Sequence, residues 1–351
     1  LNLDEYIKDV QSKYGDFCEI HLGPKRILIV SNSDVAYPIH TSSVAHSYKF
    51  LYRDLSNPRF NVVNMENSGI IANRNLDQWK INREFFIRIA MSKKFLKMLA
   101  GKTYETTADM FKLWDIMIND KQDVDLSKWL ERLAGDIAIS TSTGLSAYSK
   151  IDYFNSLGYE YDLNYIPASE LEQSSKLISH INSFFKALQY LEHIFYKSLS
   201  RPLNDHEIFG VIRDIFLGSI KTVANFLISL SEISEIFGHS ISLNSFYEGI
   251  EKLLYCDALI QEALRLTTPV PLSPRSNSEP VEVGGYLWKE EQSFLLSCQK
   301  ININKNDWID GEIFDPERFL KNINSKRSMN AKEANNKRAF TTFGGGAKIC
   351  P

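Results

Sequence analysis

Phe343-Gly344-Gly345-Gly346-Ala347-Lys348-Ile349-Cys350-Pro351 is the stretch on which the fold of this 351-residue chain turns. Three consecutive glycines put a backbone without Cβ atoms ahead of a cysteine, so that main-chain N–H groups can approach the sulfur. Such donors would stabilise a thiolate. Taken alone, the commoner use of such a free thiol is as a small buried hydrophobe. A phosphate-binding loop is excluded, because no Gly-Lys-Ser/Thr follows a matching glycine.

The rest of the composition narrows the field. Hydrophobic residues make up 44% of the chain, enough for a large core. A net charge of -3 gives no general attraction to nucleic acid or anionic lipid, so nucleic acid is not indicated as a partner. The four cysteines, Cys18, Cys256, Cys298 and Cys350, are far apart and form no C-x-x-C pair, which disfavours a zinc site and fits a reducing compartment. No run approaches the roughly 20 apolar residues of a membrane span, and the start lacks a signal-peptide pattern.

Working outward from the glycine loop, the pattern is mostly helical. Asp4 to Lys13 reads as a helix, followed by a hairpin of Cys18–Leu22 and Arg26–Val30. Asp77 to Met98, Thr103 to Ile118 and Leu126 to Thr143 have amphipathic helical spacing. Asn204 with Glu207 three residues on makes a capping box ahead of a long apolar helix reaching Ile236. Another helix begins near Asn244 and stops at Thr267-Thr268-Pro269, since proline disfavours helix in the residue before it. Val281–Trp288 and Ser293–Ser297 suggest a small antiparallel sheet. The expectation is one domain over residues 1–351, mainly α with a small antiparallel β-sheet.

Two further motifs precede the cysteine loop. Glu262-Ala263-Leu264-Arg265 sets a carboxylate and a guanidinium one helical turn apart, where they can pair. Phe314-Asp315-Pro316-Glu317-Arg318-Phe319 supplies a second arginine from an irregular segment. In this order the three resemble the cytochrome P450 family: its Glu-x-x-Arg helix, its Pro-Glu-Arg-Phe segment and its Phe-x-x-Gly-x-Arg/His-x-Cys-x-Gly loop. The motif style is that of eukaryotic microsomal members.

The resemblance implies that Cys350 ligates the iron of haem b (iron protoporphyrin IX), with Phe343, Gly346 and Lys348 in the same loop. It implies that Glu262, Arg265 and Arg318 form a buried charge cluster supporting that loop without touching substrate. Trp79 and Arg83 match the family's Trp-x-x-x-Arg, and Arg275 occupies the place of another haem propionate contact. In the long apolar helix, Gly218-Ser219-Ile220-Lys221-Thr222-Val223 is similar to the segment over the distal haem face, which makes Thr222 the catalytic, proton-delivering residue.

The implied function is monooxygenation of a hydrophobic small molecule, with electrons from NADPH through NADPH-cytochrome P450 reductase. The implied location is the cytosolic face of the endoplasmic reticulum membrane, held by an anchor that is not in these residues. The resemblance also marks departures. Lys221 stands where the family has an acid, and Lys348 where it has arginine or histidine. The connection between Tyr196 and Asn204 is too short for the helices that roof the substrate pocket. Leu230–Gly238 leaves no room for the usual helix break, and the sequence stops at Pro351, before the helix that follows the ligand. The expectation is thus a chain truncated at both ends with internal deletions. Two alternatives follow: a haem-thiolate isomerase or dehydratase, which needs no proton relay, and a non-catalytic fragment.

Overall fold

The computed structural model describes residues 3–22, 24–41, 50, 68–143, 148–160, 204, 207, 210–211, 214, 254–320 and 338–351. They divide between two compact units, one built from residues 1–57 with 229–350 and the other from residues 58–228.

The first unit holds the β-structure. Helix α1 (Leu3–Tyr14) leads into strands β1 (Phe17–Leu22) and β2 (Lys25–Val30), which pair antiparallel from Phe17 opposite Val30 to Leu22 opposite Lys25. Helix α2 (Ser33–Thr41) follows, its first turn capped by Asn32, whose side chain accepts from the N–H groups of Asp34 and Val35. After α7 (Leu254–Thr267) come β3 (Leu272–Ser276), β4 (Val281–Val283), β5 (Tyr286–Trp288), β6 (Ser293–Ser297) and α8 (Cys298–Ile303). Single 3-10 turns occupy Pro316–Phe319 and Gly346–Lys348.

The sheet expected from sequence is present, but its pairing is not purely antiparallel. Strand β6 lies between β2, to which it runs parallel, and β3, to which it runs antiparallel, in the order β1-β2-β6-β3. Val281–Trp288 is a separate hairpin instead of a single strand. It turns at Gly284-Gly285, both at positive φ (63° and 80°), the conformation that a two-residue turn between twisted strands demands. Parallel pairing of β2 with a strand more than 250 residues away leaves no local trace in sequence, which is why it escaped the periodicity.

One core of this unit packs Leu28, Val30, Ala36, Ile39, Phe294, Leu296, Ile301 and Trp308 beneath the sheet. A second, of Ile7, Val10, Ile20 and Ile29, seats α1 on the first hairpin. Strand residues thus alternate between two buried faces.

The second unit is helical among the described residues: α3 (Leu76–Ala90), α4 (Lys93–Asn119), α5 (Leu126–Thr143) and α6 (Ser149–Ser156). The helix predicted over Asp77 to Met98 is broken at Met91-Ser92, because the Ser92 hydroxyl accepts the Phe95 N–H (3.2 Å) and starts a new helix. That helix then runs through Gly101 and Lys102 without stopping, since one glycine costs a helix only about 1 kcal/mol. Met110, Leu113 and Met117, at helical spacing, pack against Trp129, Leu130 and Leu133 of α5 and Tyr153 and Phe154 of α6. The Asp136 carboxylate ties α6 to α5, accepting from Lys150 Nζ (2.6 Å) and Ser149 Oγ (2.6 Å).

The capping box is formed as predicted: Asn204 Oδ1 accepts from the Glu207 N–H (3.0 Å) and Glu207 Oε2 from the Asn204 N–H (2.9 Å). Seven residues after Glu207, buried Asp214 accepts two main-chain bonds, from Ile70 (2.6 Å) and Ile71 (2.7 Å). Gly69, at φ 80°, lets the backbone come this close; a Cβ there would overlap the Asp214 carboxylate. Asp214→Ala is therefore expected to destabilise this unit by about 2 to 4 kcal/mol, read from the midpoint of urea unfolding, because two donors to a charged group lose their acceptor.

Candidate functional site

Glu262 and Arg265 are both fully buried on α7. Their i, i+3 spacing brings both guanidinium arms onto the carboxylate, Nε to Oε2 at 2.6 Å and Nη2 to Oε1 at 2.7 Å. Arg318, from the 3-10 turn after Pro316, donates Nε to Glu262 Oε1 at 3.2 Å, and the Asp315 N–H reaches the same oxygen at 2.8 Å. The remaining donors go to main-chain carbonyls: Arg265 Nη1 to Asn302 and Gly311, and Arg318 to Ile309 and Asp310. Trp308 lies under the Arg265 guanidinium at 4.9 Å.

Two cations share one anion here. Burial holds Arg318 below its ordinary pKa, Glu262 pulls it up and the neighbouring Arg265 pushes it down again. The Glu262 carboxylate and five main-chain carbonyls, of Asn302, Ile309, Asp310, Gly311 and Ile313, accept from the two guanidinia and make that charge tolerable. The pair read from spacing and the arginine that the resemblance added thus assemble as a single buried cluster.

The cysteine loop hangs beside it. Thr341 O accepts the Gly344 N–H (2.9 Å) and Phe343 O accepts the Cys350 N–H (2.8 Å), so the loop closes on its own backbone. Gly344 and Gly346 stand at φ 73° and 63°, a region L side chains rarely adopt. The close approach of α2 also requires glycine: a Cβ on Gly345 would lie 3.0 Å from the His40 Cβ. Cys350 is exposed at the end of this loop, and Phe343 beside it is 44% exposed.

The structure brings together five of the residues named from sequence. Phe343, Gly346, Lys348 and Cys350 belong to one loop, and Arg275, from β3, lies against it: a Cβ on Gly344 would be 3.7 Å from the Arg275 Nη2. Arg275 and Lys348 are both buried cations, 1% and 4% exposed. Arg275 is held by its Nη1, which donates to Ser273 Oγ (2.8 Å) and Pro274 O (2.9 Å).

Trp79 and Arg83 belong to the other unit, where they share one face of α3 as expected, with the guanidinium 5.7 Å from the ring centroid. Trp79 is buried and donates its indole N–H to Ile70 O (2.9 Å), the segment that Asp214 also holds. Thr222, Lys221 and the connection between Tyr196 and Asn204 lie outside the described residues, as does Leu230–Gly238.

Sequence reasoning missed His40, whose ring packs on Gly344 and Gly345, and Asn302, which links α8 to the start of the loop. Neither carries a local signal. A histidine in a short helix and an asparagine closing an apolar run both read as surface residues.

An exposed thiol backed by a glycine cradle, with buried cations against the same loop, suits a flat anionic ligand bound through iron. The thiol offers the single soft donor, and the cations could pair with carboxylates of such a ligand. Among the described residues no group of three or more His, Cys, Asp or Glu side chains could hold a bare metal ion. The family model for cytochrome P450 matches residues 1–196 and 230–351. The chain belongs to the cytochrome P450 family. Its enzyme class is accordingly the haem-dependent monooxygenases, oxidoreductases by reaction type.

Its curated relatives include plant proteins. The chain is 24% identical to cytochrome P450 71A15 of Arabidopsis thaliana over 98% of its own length and 78% of that protein. A shorter match, 32% identical over 167 residues, covers 44% of this chain and 31% of dihydroniloticin synthase CYP71CD1 of Citrus sinensis. Among solved structures the retinoic acid-bound cyanobacterial CYP120A1 superposes with a TM-score of 0.71 at 18% identity, over 100% of this chain and 83% of that one. At that identity the likeness speaks for the P450 fold, mainly helical with a small sheet. No helix of the described residues is long and apolar enough to cross a membrane.

Proposed function

We propose that this chain is a haem-thiolate monooxygenase acting on a hydrophobic small molecule. Cys350 would hold the iron of haem b, and Arg275 and Lys348 would receive propionate carboxylates. The observation that carries this reading is the closed loop of Phe343 to Cys350, its thiol exposed and its start bonded to α7 and α8, the helices that the buried cluster joins. When bound, the group would supply the oxygen activation, helped by electron density from the Cys350 thiolate.

The chain's own residues do the rest. Arg275 is pre-aimed by Ser273 and the Pro274 carbonyl, so little side-chain freedom is lost when its outer nitrogen meets a carboxylate. Lys348 adds a point charge without the planar fork. Thr222 is the residue proposed to pass protons at the substrate side, and the neighbouring Lys221, as an ammonium ion, cannot accept a proton there as a carboxylate would. Electrons would come from NADPH through cytochrome P450 reductase, at the endoplasmic reticulum membrane.

Two measurements test this. The haem-reconstituted chain, reduced and saturated with carbon monoxide, is expected to show the absorption band diagnostic of a thiolate ligand; a band of the thiol- or imidazole-ligated type sinks the proposal. Arg275→Met is expected to weaken haem binding about tenfold or more, followed by titration, since a charge-assisted pair of hydrogen bonds is lost. Lys221 favours one rival, a rearranging haem-thiolate enzyme. Turnover that needs only a peroxide substrate, with no use of NADPH and reductase, would favour that rival.

A further inference from the structure

Asn302, at the end of α8, is completely buried and uses every hydrogen-bonding position of its amide. Nδ2 donates to the hydroxyls of Thr268 (2.8 Å) and Thr342 (2.8 Å). Oδ1 accepts from the Thr341 N–H (2.7 Å) and from the Thr341 hydroxyl (3.1 Å), whose one hydrogen is shared with the Cys298 carbonyl (3.3 Å). Its own main-chain carbonyl takes the Arg265 Nη1 at 2.8 Å.

The direction of these bonds fixes the amide. Thr342 Oγ1 already gives its hydrogen to Leu264 O (3.0 Å) and Thr268 Oγ1 to Arg265 O (3.0 Å), so both can only accept from residue 302. The Thr341 N–H can only donate. Turning the amide over would set its NH2 against that N–H and its oxygen against two spent hydroxyls. Leu264 and Arg265 are among the last carbonyls of α7, which have no partner within the helix. The threonines that close this helix end are thus held in place by Asn302.

A continuous path results. Glu262 binds Arg265, Arg265 binds the Asn302 carbonyl, the Asn302 amide binds Thr341, and Thr341 O accepts from Gly344 inside the cysteine loop. The direct bond between helix and loop, from Thr342 to Leu264, is itself oriented by the same amide.

We propose that Asn302 is the positioning residue that couples the buried Glu262–Arg265–Arg318 cluster to the Cys350 loop, and so sets where the thiolate is presented. The proposal rests on Cys350 being the iron ligand, but the loop geometry can be followed without haem. In the haem-free protein, Asn302→Ala is expected to speed amide hydrogen exchange at Gly344 and Cys350 about tenfold, the factor expected from losing a small number of hydrogen bonds. Ser149→Ala, which removes a hydrogen bond to Asp136 in the other unit, is expected to leave those two amides unchanged. After haem loading, the reduced carbon monoxide complex of Asn302→Ala is expected to lose at least about half of its thiolate-type band to the thiol-ligated form.

Should Asn302→Ala fail to fold by far-UV circular dichroism, Thr342→Val, which removes one hydroxyl from the network, is read in the same two ways. Unchanged exchange at Gly344 and Cys350 in whichever of the two variants folds overturns the proposal. Changed exchange with an undiminished thiolate band also overturns it. A wild type without the thiolate band refutes Cys350 as ligand instead, and removes the presentation of the thiolate from the proposal.

Discussion

Glu262→Ala is expected to destabilise the protein by about 3 to 5 kcal/mol, a large share of the stability of an ordinary domain. Glu262 neutralises two guanidinia at once, and both Arg265 and Arg318 are essentially without solvent contact. Removing the carboxylate leaves two buried cations facing only carbonyl dipoles, with the Asp315 N–H unbonded as well. Glu262→Gln keeps the shape but turns an amide NH2 toward one of the arginines, so it is expected to be nearly as damaging. The check is the midpoint of guanidinium chloride unfolding of the haem-free protein. Surface pairs such as Lys112 with Asp109, both well exposed, serve as the contrast, since breaking one costs under about 1 kcal/mol.

Cys350→Ala is expected to do the reverse: almost nothing to the fold and everything to the spectrum. The loop is closed through the Cys350 main-chain N–H, which alanine retains, and the side chain is exposed. Stability of the haem-free chain is thus expected to shift by no more than about 0.5 kcal/mol. The thiolate band of the reduced carbon monoxide complex is expected to vanish completely. The two variants separate the two parts of the account, a buried cluster that holds the loop and a side chain that uses it.

Sequence spacing revealed the Glu262–Arg265 pair because its geometry is periodic, whereas the place of Arg318 in the cluster came from the family resemblance. Residues three apart on a helix face the same way, and a buried carboxylate beside two arginines has few arrangements open to it. The capping box of Asn204 and Glu207 was legible for the same reason, since both partners lie within one turn. The break at Ser92 was not: a serine inside an amphipathic run reads as a polar surface position until its hydroxyl is seen to cap Phe95. Strand pairing was legible where a tight turn joins neighbours, as in β1 and β2, and illegible where β6 inserts beside β2 from far along the chain.

Within the site, the loop's glycines and cysteine announce themselves by residue type. The residues that position them do not. His40 meets Gly345 only because α2 crosses the loop, and Asn302 gains its meaning from four partners spread over Thr268, Thr341, Thr342 and Arg265. Such residues depend on tertiary contacts between segments with no sequence relation to one another. They are also where a family pattern can be preserved in motif and altered in support, as the lysine at position 348 illustrates by keeping a buried charge without arginine's planar fork.

The central claim is that the sulfur of Cys350 is bound to iron. X-ray absorption at the iron edge of the haem-reconstituted chain examines that bond directly. The account predicts one sulfur scatterer in the first coordination shell of the wild type and none in Cys350→Ala. A wild-type shell of nitrogen and oxygen alone, or a sulfur that survives in Cys350→Ala, would contradict it.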